Sequence, residues 1–164
     1  VTQEKTPPGF SHIGADGTAA MVDVSAKPVT DRSATARASI SMRPETVEAI
    51  RARRLDKGDV FGVARLAGII AAKRTAELIP LCHTIPTTSV SVDIAIDEAE
   101  PRVDITACAH ARGQTGVEME ALTAAAVAAL TVYDMCKSVD RHMRIGDLRL
   151  THKSGGRSGT FEAP

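Results

Sequence analysis

The most regular pattern in the chain is strict alternation. In "SVSVDIAID" the apolar residues Val90, Val92, Ile94 and Ile96 fall at every second position, "EAEP" supplies a turn, and "RVDITACAHA" alternates Val103, Ile105, Ala107 and Ala109. A period of two places each set on one face of a half-buried strand, so these segments predict a β-hairpin. Weaker alternation in "AAMVDVS" and "TARASISM" predicts strands around 19–25 and 35–42, and "MRIGDLRLTHK" predicts a last strand over 143–153.

Elsewhere the period is helical. "RPETVEAIRARR" opens on Pro44, carries acids early and bases late as the helix dipole prefers, and predicts a helix over 44–54, with a turn at "LDKGD". Phe61, Ala64, Leu66, Ala67, Ile70 and Ala71 recur at helical spacing, predicting a second helix over 60–78 that Pro80 stops. Thr115 followed by Glu118 resembles a capping box opening a long helix over 116–139. The order is strands, two helices, a hairpin, a long helix and a strand. It lacks the regular β-α alternation of a doubly wound sheet. The expected fold is α+β and ferredoxin-like, with a largely antiparallel sheet covered by helices.

Composition narrows the function. Twenty Lys plus Arg balance twenty Asp plus Glu, so no general field draws the chain to nucleic acid or anionic lipid. Three Phe, one Tyr and no Trp supply no base-stacking surface. The longest apolar runs are broken well short of ~18 residues, so no membrane span is expected. Cys82, Cys108 and Cys136 lack the paired spacing of a structural zinc site, and reduced cytoplasmic thiols are the simpler reading. The stretch 1–16 reads as a flexible lead, 17–161 as one domain and 162–164 as a tail.

Candidate chemistry gathers in a few places. The Ala-rich helix "TAAAVAALTVYDMCK" ends on Asp134 and Lys137, which at i, i+3 are neighbours on one face. Such a pair is ordinarily a solvated ion pair; here it could also grip one ligand. Glu120 lies on nearly the same face but ~21 Å away along the axis. If Glu118, Met119 and Glu120 line a pocket with Asp134, a partner helix must come antiparallel from another subunit, and the alanines would allow its close approach. "PLCHTIP" sets Cys82 and His83 in a loop stiffened by two prolines, where His83 could bind an anion, move a proton or have no role. A Cys–His nucleophile, or a metal on Cys82, His83, Cys108 and His110, is a weaker reading. "KSGGRSG" combines Lys153 and Arg157 with three glycines and reads either as a phosphate cradle or as a flexible basic tail.

Together "AAKRTAELIPLCHTIP", "TGVEMEALTAAAVAALTVYDMCK" and "LTHKSGGRSG" resemble the cyclic pyranopterin monophosphate synthase (MoaC) family of molybdenum cofactor biosynthesis, over about 17–161. The resemblance implies a cytoplasmic lyase that converts 3',8-cyclo-7,8-dihydro-GTP into cyclic pyranopterin monophosphate and pyrophosphate. It also implies a homohexamer, a trimer of dimers with active sites at dimer interfaces. By motif, Asp134, Lys137 and Lys57 look catalytic, while Leu81, Cys82, His83, Glu118, Met119, Glu120 and Lys153 look substrate-binding. No resident cofactor or protein-held metal is called for; a magnesium ion could accompany the triphosphate, though no residue marks it. The rivals are an inert nucleotide sensor, which would need the basic pocket but not Asp134, and a nucleotide phosphatase, for which phosphate-loop and metal-carboxylate motifs are missing.

Overall fold

The computed structural model describes residues 17–54 and 58–163. Its elements run β1 (Thr30–Ser41), α1 (Pro44–Arg51), α2 (Val60–Ala72), α3 (Thr75–Leu78), β2 (Thr87–Ile96), β3 (Arg102–Gly113), α4 (Glu118–Cys136), β4 (Arg144–Ser154) and β5 (Phe161–Glu162). Every neighbouring pair in the sheet is antiparallel, in the order β2-β3-β1-β4-β5. The first four strands and the helices between them have the ferredoxin-like connectivity expected from the sequence.

The expected hairpin forms, with Val92 opposite Ala107 and Ile94 opposite Ile105. Ala34, Ala36, Ala38 and Ile40 on β1 join Val103, Ile105, Ala107 and Ala109 on β3 in one buried face. That face carries α4, and α2 lies against α4 and β2. The opposite face holds the alternate residues, among them Thr35, Arg37, Cys108 and His110.

Several boundaries differ from the expectation. No strand forms over 19–25: Ala19 makes an isolated bridge and a turn follows, with the Asp23 carboxylate accepting from Ser25 N–H and Lys27 N–H bonding back to Val24. Side-chain capture by an Asp in this way competes with a strand ladder. The predicted strand at 35–42 instead starts at Thr30, after Pro28, and the helix predicted over 60–78 breaks into α2 and α3. The break is held by Thr75, whose buried hydroxyl donates to the Ala72 carbonyl at 3.0 Å. The Thr115–Glu118 capping box is not made. Val117 is the N-cap, and the Glu118 carboxylate is taken by Lys153 of β4 at 2.9 Å.

The alanines of α4 serve the inside of this chain. Ala121, Ala124, Ala125, Ala128 and Ala129 are all fully buried, against the sheet and α2. The approach is closest at Gly68 of α2, where a Cβ would stand 2.8 Å from the Ala124 carbonyl oxygen and 3.3 Å from the Ala128 Cβ. These five alanines therefore pack against α4's own neighbours and are not on the surface where a partner helix could reach them. By length and composition alone α4 could cross a membrane, yet more than half of it is buried in the protein.

The end of α4 is fixed by Asp140. This carboxylate is 1% exposed and accepts from the backbone N–H groups of Arg43 (2.8 Å) and His142 (2.9 Å) and from the Thr46 hydroxyl (3.2 Å). The Arg43 guanidinium stands 3.4 Å away and also donates to the Val139 carbonyl. Burial pushes the Asp140 pKa up, but these donors outweigh it and hold the group below the usual carboxylate range. A remote side chain thereby ties the start of α1 to the chain leaving α4.

Asp140→Ala is expected to cost about 3 kcal/mol in urea unfolding at neutral pH, since it strands buried donors. Because the folded pKa is depressed, the contribution is present above the unfolded value of about 3.9 and fades as pH falls through the folded one. The wild-type and variant curves should approach each other in acid; a loss below ~1 kcal/mol at neutral pH would contradict this role.

Candidate active site

A cavity of about 390 Å³ forms where the loop after α3 faces the first turn of α4. Pro80 and Pro86 bound the loop, and Cys82 N–H closes a turn onto the Ile79 carbonyl at 3.0 Å. Leu81, Cys82 and His83 line one side and Glu118, Met119 and Glu120 the other, so six of the expected substrate residues share one cavity. Lys153 joins them through Glu118 and also donates to the Ser158 hydroxyl at 2.7 Å. Gly116 permits the approach, because a Cβ there would fall on the Glu118 carboxylate.

Glu120 is the unusual group. Only 3% exposed, its Oε2 is buried without a hydrogen-bond partner. Burial raises its pKa from 4.5 to about 6, its own backbone N–H opposes the shift, and the charge of Glu118 adds to it. A carboxyl poised near neutrality can hold or release a proton in the working range. Burial, followed by the Glu120 charge, pushes the neighbouring Cys82 thiol up, which disfavours the thiolate that a nucleophile needs. His83 Nε2 lies 2.8 Å from the Val22 carbonyl, which can only accept, so this nitrogen carries the proton and Nδ1 is left for other work.

A second cavity, about 440 Å³, opens at the other end of α4 and is lined by Tyr133, Asp134, Lys137, Ser138 and Arg141. Asp134 and Lys137 touch at 2.6 Å and are half-exposed, the geometry of an ordinary surface pair worth little to stability. Fourteen residues of straight helix separate Asp134 from Glu120, which is ~21 Å. Within one chain the structure thus gathers the residues expected to bind substrate and leaves the Asp134–Lys137 pair apart from them. Lys57 lies outside the described residues. Cys108 and His110 alternate with buried Ala107 and Ala109, so they face away from the helices and from Cys82. Among the described residues no group of three or more His, Cys, Asp and Glu could hold a metal ion.

Several lining residues were not singled out from the sequence. Tyr133, Ser138 and Arg141 share the second cavity. Asp23 lies close enough to His83 for their charges to interact; it is held below the usual range by the Ser25 backbone N–H and hydroxyl, with burial opposing and His83 assisting. Its neighbours were read as a strand, which hid the turn that aims it.

The sequence model described as the MoaC family matches residues 21–156. This chain belongs to the MoaC family. It is 57% identical over 154 residues to the cyclic pyranopterin monophosphate synthase of Pelotomaculum thermopropionicum, an alignment covering 94% of this chain and 91% of that relative. The protein of the same name from Dinoroseobacter shibae is 57% identical over 155 residues, covering 94% and 98% respectively. That from Thermomicrobium roseum is 57% identical over 152 residues, covering 93% and 92%. The two cavities and the helix joining them all fall inside the region matched by the family.

Glu120 carries a prediction about this MoaC-family chain. Below pH ~4.5 both folded and unfolded states hold its proton; between there and about 6 the folded state binds more, so wild-type stability falls as pH rises through that window. Glu120→Gln should therefore be more stable than wild type by ~2 kcal/mol at pH 7.5 and equal to it in acid, as read by chemical denaturation across pH. A variant no more stable than wild type at pH 7.5 would show that the carboxyl ionises freely.

Proposed function

We propose that this chain is a cyclic pyranopterin monophosphate synthase, a lyase that converts 3',8-cyclo-7,8-dihydro-GTP to cyclic pyranopterin monophosphate and pyrophosphate in molybdenum cofactor biosynthesis. The observation that carries the reading is near-full-length identity of 55–57% to relatives bearing that name. The cavity uniting Leu81, Cys82, His83, Glu118, Met119 and Glu120 supports it as the place for the GTP-derived ring system. Opening a purine ring and building a pterin takes several proton transfers, for which Glu120, Asp134 and Lys137 are suited. Lys57, Lys153 and His83 would carry positive charge toward the phosphates, where negative charge grows as pyrophosphate departs. A magnesium ion would arrive with the triphosphate rather than on a protein-built site. We place the reaction in the cytoplasm, the compartment that supplies GTP.

The separation of the two cavities along α4 supports a reading in which a second copy of the chain completes each site. On the outer faces of α2 and α4, Val63, Leu66, Ile70 and Leu130 are exposed, with Leu66 at 60% and Leu130 at 57%. An apolar surface next to Asp134 is suited to an interface between copies, with the partner's α4 antiparallel and its Glu120 brought to Asp134. A trimer of such dimers is the assembly we propose.

The activity is tested by incubating purified protein with the cyclised GTP derivative and detecting both products by mass; ligand bound but unchanged would favour a sensor. Asp134→Asn or Lys137→Ala should lower turnover by ~10² or more with folding intact. Mixing inactive Glu120→Ala subunits with inactive Asp134→Ala subunits should restore about a quarter of wild-type activity, because half of random interfaces are mixed and each mixed interface regains one intact site of two. No recovery after subunit exchange has been demonstrated by mass would mean that each site is built within one chain.

A further inference from the structure

His83 lines the first cavity, but the group that orients its ring comes from far upstream. Its Nε2 lies 2.8 Å from the carbonyl of Val22. Residues 21–29 belong to no helix or strand, so no ladder fixes their carbonyls and each must be held by other bonds. Two bonds within the segment shape it: the Asp23 carboxylate accepts from Ser25 N–H, and Lys27 N–H donates to the Val24 carbonyl, both at 2.9 Å. Bonds this local curl the segment without placing it against the rest of the protein.

Gln114 places it. From the loop between β3 and α4, its side-chain Nε2 donates to the carbonyls of Ser25 at 2.9 Å and Lys27 at 3.1 Å. An amide nitrogen carries two hydrogens, so both bonds are made at once. The backbone beneath Gln114 is fixed in turn, because Arg32 donates from Nε to the Gly113 carbonyl and from Nη2 to the Gln114 carbonyl, both at 3.1 Å. The next residues, Thr115 and Gly116, line the His83 cavity. One loop therefore forms part of the cavity wall and grips the segment that orients its histidine.

The consequence is chemical. Neutral imidazole has one N–H and one nitrogen with a free lone pair; a carbonyl can only accept, so Val22 selects the Nε2–H tautomer and leaves Nδ1 as the acceptor. A small drift of Val22 would end that selection, since hydrogen bonds weaken steeply with distance and angle. We propose that Gln114 is a positioning residue for His83: by holding the turn over 22–27 it keeps the Val22 carbonyl on Nε2 and reserves Nδ1 to take a hydrogen bond or a proton from the substrate. Its part in turnover rests on the functional reading above, while its hold on the tautomer does not. In the proton step a substrate N–H or O–H bond breaks, the electron pair stays on the substrate atom, and the proton joins the Nδ1 lone pair while Nε2–H remains on Val22.

The test reads the tautomer directly, by nitrogen NMR of the labelled full-length protein at alkaline pH, with the His83 signals picked out from those of the five histidines by their loss in His83→Gln. Wild type should show Nε2–H alone. Gln114→Ala should show a mixture of both tautomers and turn over the cyclised GTP derivative about fivefold more slowly, the scale of one neutral hydrogen bond. Gln114→Lys, whose ammonium can donate to both carbonyls, should return both readings toward wild type. Asp23→Ala loosens the same turn without touching Gln114, and it takes the place of Gln114→Ala if that variant does not fold. Nε2–H alone in the folded Gln114→Ala protein, or in Asp23→Ala where it is the substitute, would overturn the positioning role whatever happens to the rate. A shifted tautomer with wild-type turnover would overturn the task assigned to Nδ1. A shifted tautomer in a protein that converts no cyclised GTP derivative would uphold the positioning and overturn the reading of the substrate.

Discussion

The contact on which the rest of the structure depends is the alanine-distance packing of α4 between the sheet and α2. With Ala124 and Ala128 facing Gly68, there is no layer of flexible side chains to absorb a shift of the helix. Close-packed interiors of this kind transmit displacement instead of damping it. α4 is consequently a rigid rod with Glu118, Met119 and Glu120 at its start and Asp134 and Lys137 at its end. The distance between those groups is set by helix rise, and no loop motion shortens it. Within one chain, a single small substrate therefore cannot touch both ends.

The same packing accounts for the chemistry at the start of the rod. Glu120 projects from the first turn of a helix whose next turns are sealed against the core, so its carboxyl is drawn out of water with them. Desolvation without a partner destabilises its anion and brings its pKa to about 6. A folding requirement alone would be met better by an uncharged residue, and local disagreement with packing rules is typical of groups kept for function. The Asp134–Lys137 pair contrasts with it, since each half-exposed group faces an opposite charge at 2.6 Å.

How much of this was legible in the sequence follows from how far apart the determining residues lie. The β2–β3 hairpin could be read because Val92, Ile94, Ile105 and Ala107 declare their faces by local alternation. The Ala-rich helix was equally visible, but which neighbour its small residues served was not, because Gly68 lies more than fifty residues upstream. The capping box at Thr115 failed for a similar reason: Glu118 had a choice between a backbone N–H nearby and the Lys153 ammonium on β4, and tertiary structure gave it the ion. Asp140 resembles any surface Asp after a helix until Arg43 and Thr46 are folded against it. The strand expected at 19–25 was lost to a local turn whose only signal was Asp23 two residues before Ser25. The candidate residues were picked out by motif; their grouping into two cavities at opposite ends of one helix needed the fold.

On the proposed function, the rigidity of α4 would tie assembly to activity. On that reading the cavity holding Glu120 would take the ring system but lacks the Asp134–Lys137 pair, and the cavity at the opposite end has the pair without Glu120. Val63, Leu66, Ile70 and Leu130 are exposed on α2 and α4, and in the proposed dimer burying them against a second copy would also bring the missing groups. Covering Asp134 and Lys137 at such an interface would remove them from water and strengthen their interaction with each other and with a phosphate. An isolated chain would keep the pair solvated and therefore unremarkable. Under the proposed assembly the surface ion pair would become an acid–base device through association, and the alanine packing of α4 would matter to catalysis because it fixes the distance between the two ends of the helix.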